Sequence, residues 1–181
     1  MFTRLSKLKA FTQSKVLLSI FAGVAFTGVL GVSLYVYYGM YNISALTGHT
    51  APVYKFLEFA RMQSIETRVP EKAPSLDQFD WRGAGVQIYE KHCLQCHGAP
   101  GLAPEPFALG MMPPPSAIAR IASERSPEQM YWVIKNGVMM SGMPAWKYRL
   151  KEQELWELVA FLKKLPEFTT KDYALLRQQV P

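Results

Sequence analysis

The sequence predicts an all-α chain: an N-terminal membrane helix followed by one small helical domain. Three observations carry that prediction. The 23 residues from Val16 to Tyr38 hold no charge. Past Trp81, apolar residues recur at helical spacing between caps and stops, and the period-two alternation of half-buried strands is scarce. At 181 residues the chain has room for one domain with a core and an appendage, but not for two ordinary domains. The net charge of +6 gives no nucleic-acid signal, because Arg4, Lys7, Lys9 and Lys15 supply four of those charges within the first fifteen residues. The basicity belongs to the terminus, and no nucleic-acid partner is expected.

Residues 1–15 form the basic tip and 16–41 the anchor. At ~1.5 Å per residue, a helix over "VLLSIFAGVAFTGVLGVSLYVYY" is about 35 Å long, enough to cross a bilayer's hydrocarbon core. The run ends in Tyr35, Tyr37, Tyr38 and Tyr41, which suit a membrane–water interface better than a signal-peptide cleavage site. An uncleaved anchor is therefore expected over a signal peptide or a buried soluble helix. The basic flank keeps the N-terminus in the cytoplasm and sends everything from about residue 42 across the membrane. Ser19, Gly23, Thr27 and Gly31 recur every fourth residue. Such a stripe of small side chains either admits a second membrane helix or is mere tolerance.

Residues 42–80 read as a juxtamembrane helix and a linker. Thr50 is placed to cap and Pro52 to begin a helix whose apolar face holds Val53, Phe56, Leu57 and Ala60. That face has three possible uses: the bilayer, a partner subunit, or cover for the soluble domain. "RVPEKAPSLDQFDW" follows as an extended linker, interrupted by Pro70 and Pro74.

The next stretch, "WRGAGVQIYEKHCLQCHG", predicts a helix running into Cys93, Cys96 and His97, and it contains both cysteines of the chain. Three chemistries compete for it. A disulfide is permitted on the far side of the membrane, but a thiol redox pair belongs at a helix start within a βαβ pattern, and strands are scarce here. Zinc could take Cys93, Cys96, His97 and the nearby His92, yet four ligands within six residues fit a tetrahedron poorly. The order C-x-x-C-H has a direct rationale: two thiols form thioethers with the vinyl groups of a haem, and the adjoining imidazole reaches its iron. One covalently attached haem c is the expected cofactor.

If His97 is one axial ligand, the candidates for the other are Met111, Met112, Met130, Met139, Met140, Met143, His49 and His92. Met130 reads as a core position of a helix that Ser126 caps, Pro127 starts, Gln129 completes as a capping box and Gly137 ends. Met143 is held between Gly142 and Pro144 in a loop, where a thioether can point at iron instead of filling space; Met139 and Met140 are its rivals. His92 adjoins Cys93 and reads as an exposed helical histidine, and His49 as an interfacial loop histidine.

The stretches "GVQIYEKHCLQCHG", "NGVMMSGMPAW" and "ELWELVAFLKKLP" follow one another in an order that resembles a class I c-type cytochrome domain, from Trp81 to about Leu165. The three match that family's first helix and haem motif, its methionine-ligand loop and its closing helix. The resemblance implies an all-α fold in which the first and last helices cross, placing Gly85 and Tyr89 against residues such as Trp156 and Phe161. It further implies that the proline-rich loop "GAPGLAPEPFALGMMPPPSAIARIA" lines the haem edge and gives a backbone carbonyl, from one of its prolines, to the ring N–H of His97. With His97 and Met143 on the iron, no position is left for substrate, so an electron carrier and not an enzyme is expected.

Residues 81–166 are the expected cytochrome c domain. Its closing helix carries Glu152 and Glu154 near the start, Lys163 and Lys164 near the end, and Leu155, Leu158, Val159 and Leu162 at helical spacing, with Pro166 as its stop. Residues 167–181 form a tail with a short helix from near Thr170. The expected protein is a single-pass, mono-haem cytochrome of the bacterial cytoplasmic membrane with its haem domain on the periplasmic side. It passes single electrons between redox partners, a quinol-oxidising complex or dehydrogenase on one side and an oxidase or soluble carrier on the other, as a shuttle or as a subunit of a membrane complex. The rival classes are a haem enzyme or gas-binding protein with an open sixth position, and a thiol–disulfide oxidoreductase using Cys93 and Cys96.

Overall fold

The computed structural model describes residues 2–70 and 72–179; for residues 2–12 it describes the backbone alone, so the side chains of Arg4, Lys7 and Lys9 lie outside the described residues. Among the described residues there are helices and turns but no strand, and one isolated bridge joins Ala99 to Leu102. The chain divides into two compact units, Met1–Ser44 and Ala45–Pro181.

The first unit is α1, Phe2–Tyr37. The helix continues through the basic tip because nothing before Gly23 is a glycine or proline that would break it. Its stretch Gln13–Tyr37 has mean hydropathy 2.1 and buries none of its residues within the chain. The hydroxyls of Thr27 and Ser33 donate to the carbonyls of Gly23 and Val29, each at 2.8 Å. Polar groups that bond within their own helix can sit in hydrocarbon at little cost.

The second unit begins with α2, Ala51–Glu66, with Pro52 in its first turn; Thr50 stands at the cap position, but its side chain makes no capping hydrogen bond. Val53, Phe56 and Leu57 are exposed, whereas Ile65 near the other end is buried. The helix therefore meets the domain through its C-terminal turn, where Gln129 donates to Glu66, and not through the apolar face predicted from the sequence. The linker is tied down as well: the Ala73 N–H donates to the Glu128 carboxylate at 2.8 Å.

The predicted helix running into the motif begins as a π-turn and is interrupted at Cys93. Trp81–Gly85 is a π-turn closed by the Gly85 N–H on the Asp80 carbonyl at 2.9 Å, followed by α3, Val86–His92, and, after an interruption at Cys93, α4, Leu94–His97. Asp80 starts the segment by accepting the N–H groups of Gly83 and Ala84 at 2.9 and 3.0 Å. Then come α5, Ile118–Glu124, α6, Pro127–Asn136, α7, Glu152–Lys164, and α8, Thr170–Gln178. α6 has the predicted capping box, Ser126 with Gln129, and Gly137 ends it at φ 69°.

The core lies where α3 crosses α7. A Cβ on Gly85 would stand 2.5 Å from the Glu157 carbonyl oxygen and 2.9 Å from Cβ of Phe161, so the crossing is close enough to require a glycine. The Tyr89 and Phe161 rings meet at 5.3 Å. Trp156 lies in the same buried core. It stacks on Tyr131 of α6 at 4.1 Å and on Phe79 of the linker at 6.3 Å. Lys163 reaches across to take the carbonyls of Ala122 and Arg125 at 2.5 and 3.0 Å, closing the C-terminus of α5. The tail is packed into this unit: Tyr173 is 1% exposed and donates to Glu90, which also pairs with Arg177 at 3.0 Å.

Candidate functional site

α3 and α4 carry Cys93, Cys96 and His97 on consecutive turns, and the break at Cys93 turns its side chain into the core, where it is 8% exposed. The two cysteines are not joined to each other. Burial, with a smaller contribution from Cys96, pushes the Cys93 thiol up to about 12. A thiol–disulfide enzyme needs a thiolate near neutral pH, which burial disfavours at Cys93. Among the described residues no three of His, Cys, Asp and Glu gather around a common point, so the zinc alternative has no ligand set.

The Nδ1–H of His97 donates to the Ser116 carbonyl at 2.8 Å. A carbonyl can only accept, so Nδ1 carries the proton and Nε2 keeps its lone pair. Burial lowers the imidazole pKa, which the Ser116 hydrogen bond opposes. A neutral ring with a fixed tautomer and an available Nε2 is the form that coordinates a metal. The accepting carbonyl was expected to belong to one of the prolines; it belongs to the residue just after prolines 113–115, and nothing in a side chain could have marked a backbone acceptor. Behind the motif, the buried Tyr89 hydroxyl donates to the Gly98 carbonyl and fixes the chain where it leaves α4.

Met143 lies half-buried against the core cluster that also contains Cys93 and Trp146. Its loop is closed on itself. The Val138 N–H donates to the Met143 carbonyl at 3.1 Å, Ser141 Oγ donates to the Val138 carbonyl at 2.7 Å, and the Met143 N–H donates to Ser141 Oγ at 3.2 Å. Gly137 lets α6 end against this loop: a Cβ there would fall 2.7–2.8 Å from the backbone of Met143, Pro144 and Ala145. The rivals separate by exposure. Met139 and Met140 are 90% and 91% exposed, and Met130 is buried in the core as predicted. His92 is half-buried with its ring 4.9 Å from that of Trp146, not exposed as expected, and burial lowers its pKa.

Residues 82–162 match the family model described as cytochrome c oxidase, cbb3-type, subunit III. These residues form a c-type cytochrome domain. The match begins in the π-turn and ends in α7, so it takes in the crossing, the C-x-x-C-H motif and the Met143 loop. The cytochrome domain is an electron-transfer module that binds haem c. No curated protein matches the chain. The residues present fit the group on the structure's own terms: two thiols free of each other, an imidazole whose outer nitrogen is already bonded, and a methionine in a closed loop beside the same core.

Proposed function

We propose that the chain is a membrane-anchored, mono-haem c-type cytochrome that relays single electrons on the periplasmic face of a bacterial cytoplasmic membrane, working with an oxidase-type membrane complex. The observation that carries the reading is His97, whose Nδ1–H is committed to the Ser116 carbonyl inside a domain that matches a cbb3-type oxidase subunit. Cys93 and Cys96 would hold one haem through thioethers, with His97 and Met143 as the axial pair. The haem supplies a one-electron ferric/ferrous couple, which His/Met ligation and burial raise in potential.

The chain's own residues do the rest. Ser116 orients the imidazole and strengthens it as a donor. The loop 138–143, closed by its own hydrogen bonds, would hold the thioether, and Tyr131, Trp146 and Trp156 are buried in the neighbouring core. With His97 and Met143 both holding the iron there would be no open site for a substrate, and the chain would act as a carrier in place of a haem enzyme or gas-binding protein. A pyridine haemochrome spectrum of the purified protein tests the reading. The expected result is one c-type haem per chain; a protein without haem would sink it.

A further inference from the structure

We propose that Met111 is a positioning residue for Met143, and that the segment Met111–Ser116 braces both axial residues at once; this rests on the His97/Met143 reading above. The observation is at Gly142. This glycine is not in the left-handed region, so its backbone does not call for glycine. Its room is filled from one side: a Cβ there would lie 2.8 Å from Met111 Sδ and 3.2 Å from Met111 Cε. The Met111 thioether therefore rests on the backbone of the residue immediately before Met143. Met111 itself is anchored by its N–H on the Ala108 carbonyl at 3.2 Å, at the end of the short helical turn Pro106–Gly110.

Met112 and three prolines, 113–115, separate Met111 from Ser116, whose carbonyl takes the His97 Nδ1–H. Prolines fix φ, so although the chain bends at Met112 and Pro113, the backbone between the two ends has little freedom. One stiff segment thus presses on the loop of one axial residue and hydrogen-bonds the other. Met111 acts through Gly142 by packing, with no bond of its own to the iron.

The test uses the haem-loaded full chain in detergent, with Met111→Ala, Met111→Leu, Gly142→Ala and the double variant Met111→Ala/Gly142→Ala. Four quantities are read: haem content, the sulfur-to-iron charge-transfer band of the ferric form, carbon monoxide binding by the ferrous form, and hydrogen exchange at the Val138 and Met143 amides. Gly142→Ala is tolerated by the fold because the opposing atom is the end of a flexible side chain, which swings aside. Met111→Ala and Gly142→Ala should each keep the haem, weaken the band, speed exchange at both amides and raise carbon monoxide affinity by roughly tenfold. Met111→Leu fills the same space without sulfur and should behave like the parent. The double variant should be no worse than Met111→Ala, since both changes delete the same contact. Parent-like band, exchange and carbon monoxide binding in Met111→Ala would overturn the positioning role and leave Met143 as the ligand. Loss of the band in Met111→Leu with its retention in Met143→Ala would make Met111 itself the ligand and overturn both readings.

Discussion

At His97 a single hydrogen bond settles the tautomer, and the consequence is chemical: only one ring nitrogen remains to meet a metal. The partner position is a matter of exposure. Because Met139 and Met140 stand in solvent and Met143 packs on the core, Met143→Ala should keep haem on Cys93 and Cys96 yet lose the sulfur-to-iron band, lower the potential and open the iron to carbon monoxide. The same change at Met139 or Met140 should leave the spectrum as it was. Asp80 gives a pH signature at the same scale. The N–H groups of Gly83 and then Ala84 hold its carboxyl below the usual carboxylate range. A depressed carboxylate contributes stability above its unfolded pKa of about 4 and loses that contribution as pH falls through its folded value. Thermal melts between pH 5 and pH 2, taken as about one to two units either side of that value, should show a steeper acid loss in the parent than in Asp80→Asn. Parallel curves would remove Asp80 from the account.

Between elements, the α3–α7 crossing is the tightest point of the domain. Gly85→Ala drives a methyl into the Glu157 carbonyl and Phe161, neither of which is a flexible chain end. Overpacking of this kind costs about 1–3 kcal/mol, which urea unfolding of the haem-loaded protein should register as a lower midpoint. α8 is secured differently, by a buried hydroxyl on a carboxylate. Tyr173→Phe removes the donor to Glu90 but leaves Arg177 on it, so a loss of about 1 kcal/mol is expected in the same measurement. An unchanged midpoint would mean that α8 contributes little to holding the domain. α2 has the opposite character. Its exposed Val53, Phe56 and Leu57 find no cover within the domain, and only its last turn is held.

For the whole molecule, an apolar helix joined to a separate compact unit predicts a protein that fractionates with membranes and resists alkaline extraction. The proposed orientation, with the basic N-terminal flank inside, predicts that protease added to spheroplasts destroys the cytochrome domain. Survival of the domain in intact spheroplasts, with its loss only after lysis, would reverse the orientation.

The sequence by itself determined the elements whose signals are local. A run without charge must be a helix if it is to meet lipid, Ser126 with Gln129 and Gly137 mark the two ends of α6, and the order of three local motifs pointed to the cytochrome domain. The all-α fold and the cytochrome domain were legible for that reason. What stayed hidden depended on contacts between residues distant in the chain or on backbone groups that carry no side-chain mark. Ser116 supplies the carbonyl to His97 where a proline was expected, Trp156 stacks on Tyr131 and Phe79, and Thr50 occupies a cap position without capping. The tail had no visible purpose because Tyr173 and Glu90 are more than eighty residues apart. The use of Gly142 appears only when Met111 is brought against it. Periodicity and spacing report what a segment needs from its neighbours; which neighbour answers is decided by tertiary packing, where close approach and hydrogen-bond satisfaction select one partner from many of similar chemistry.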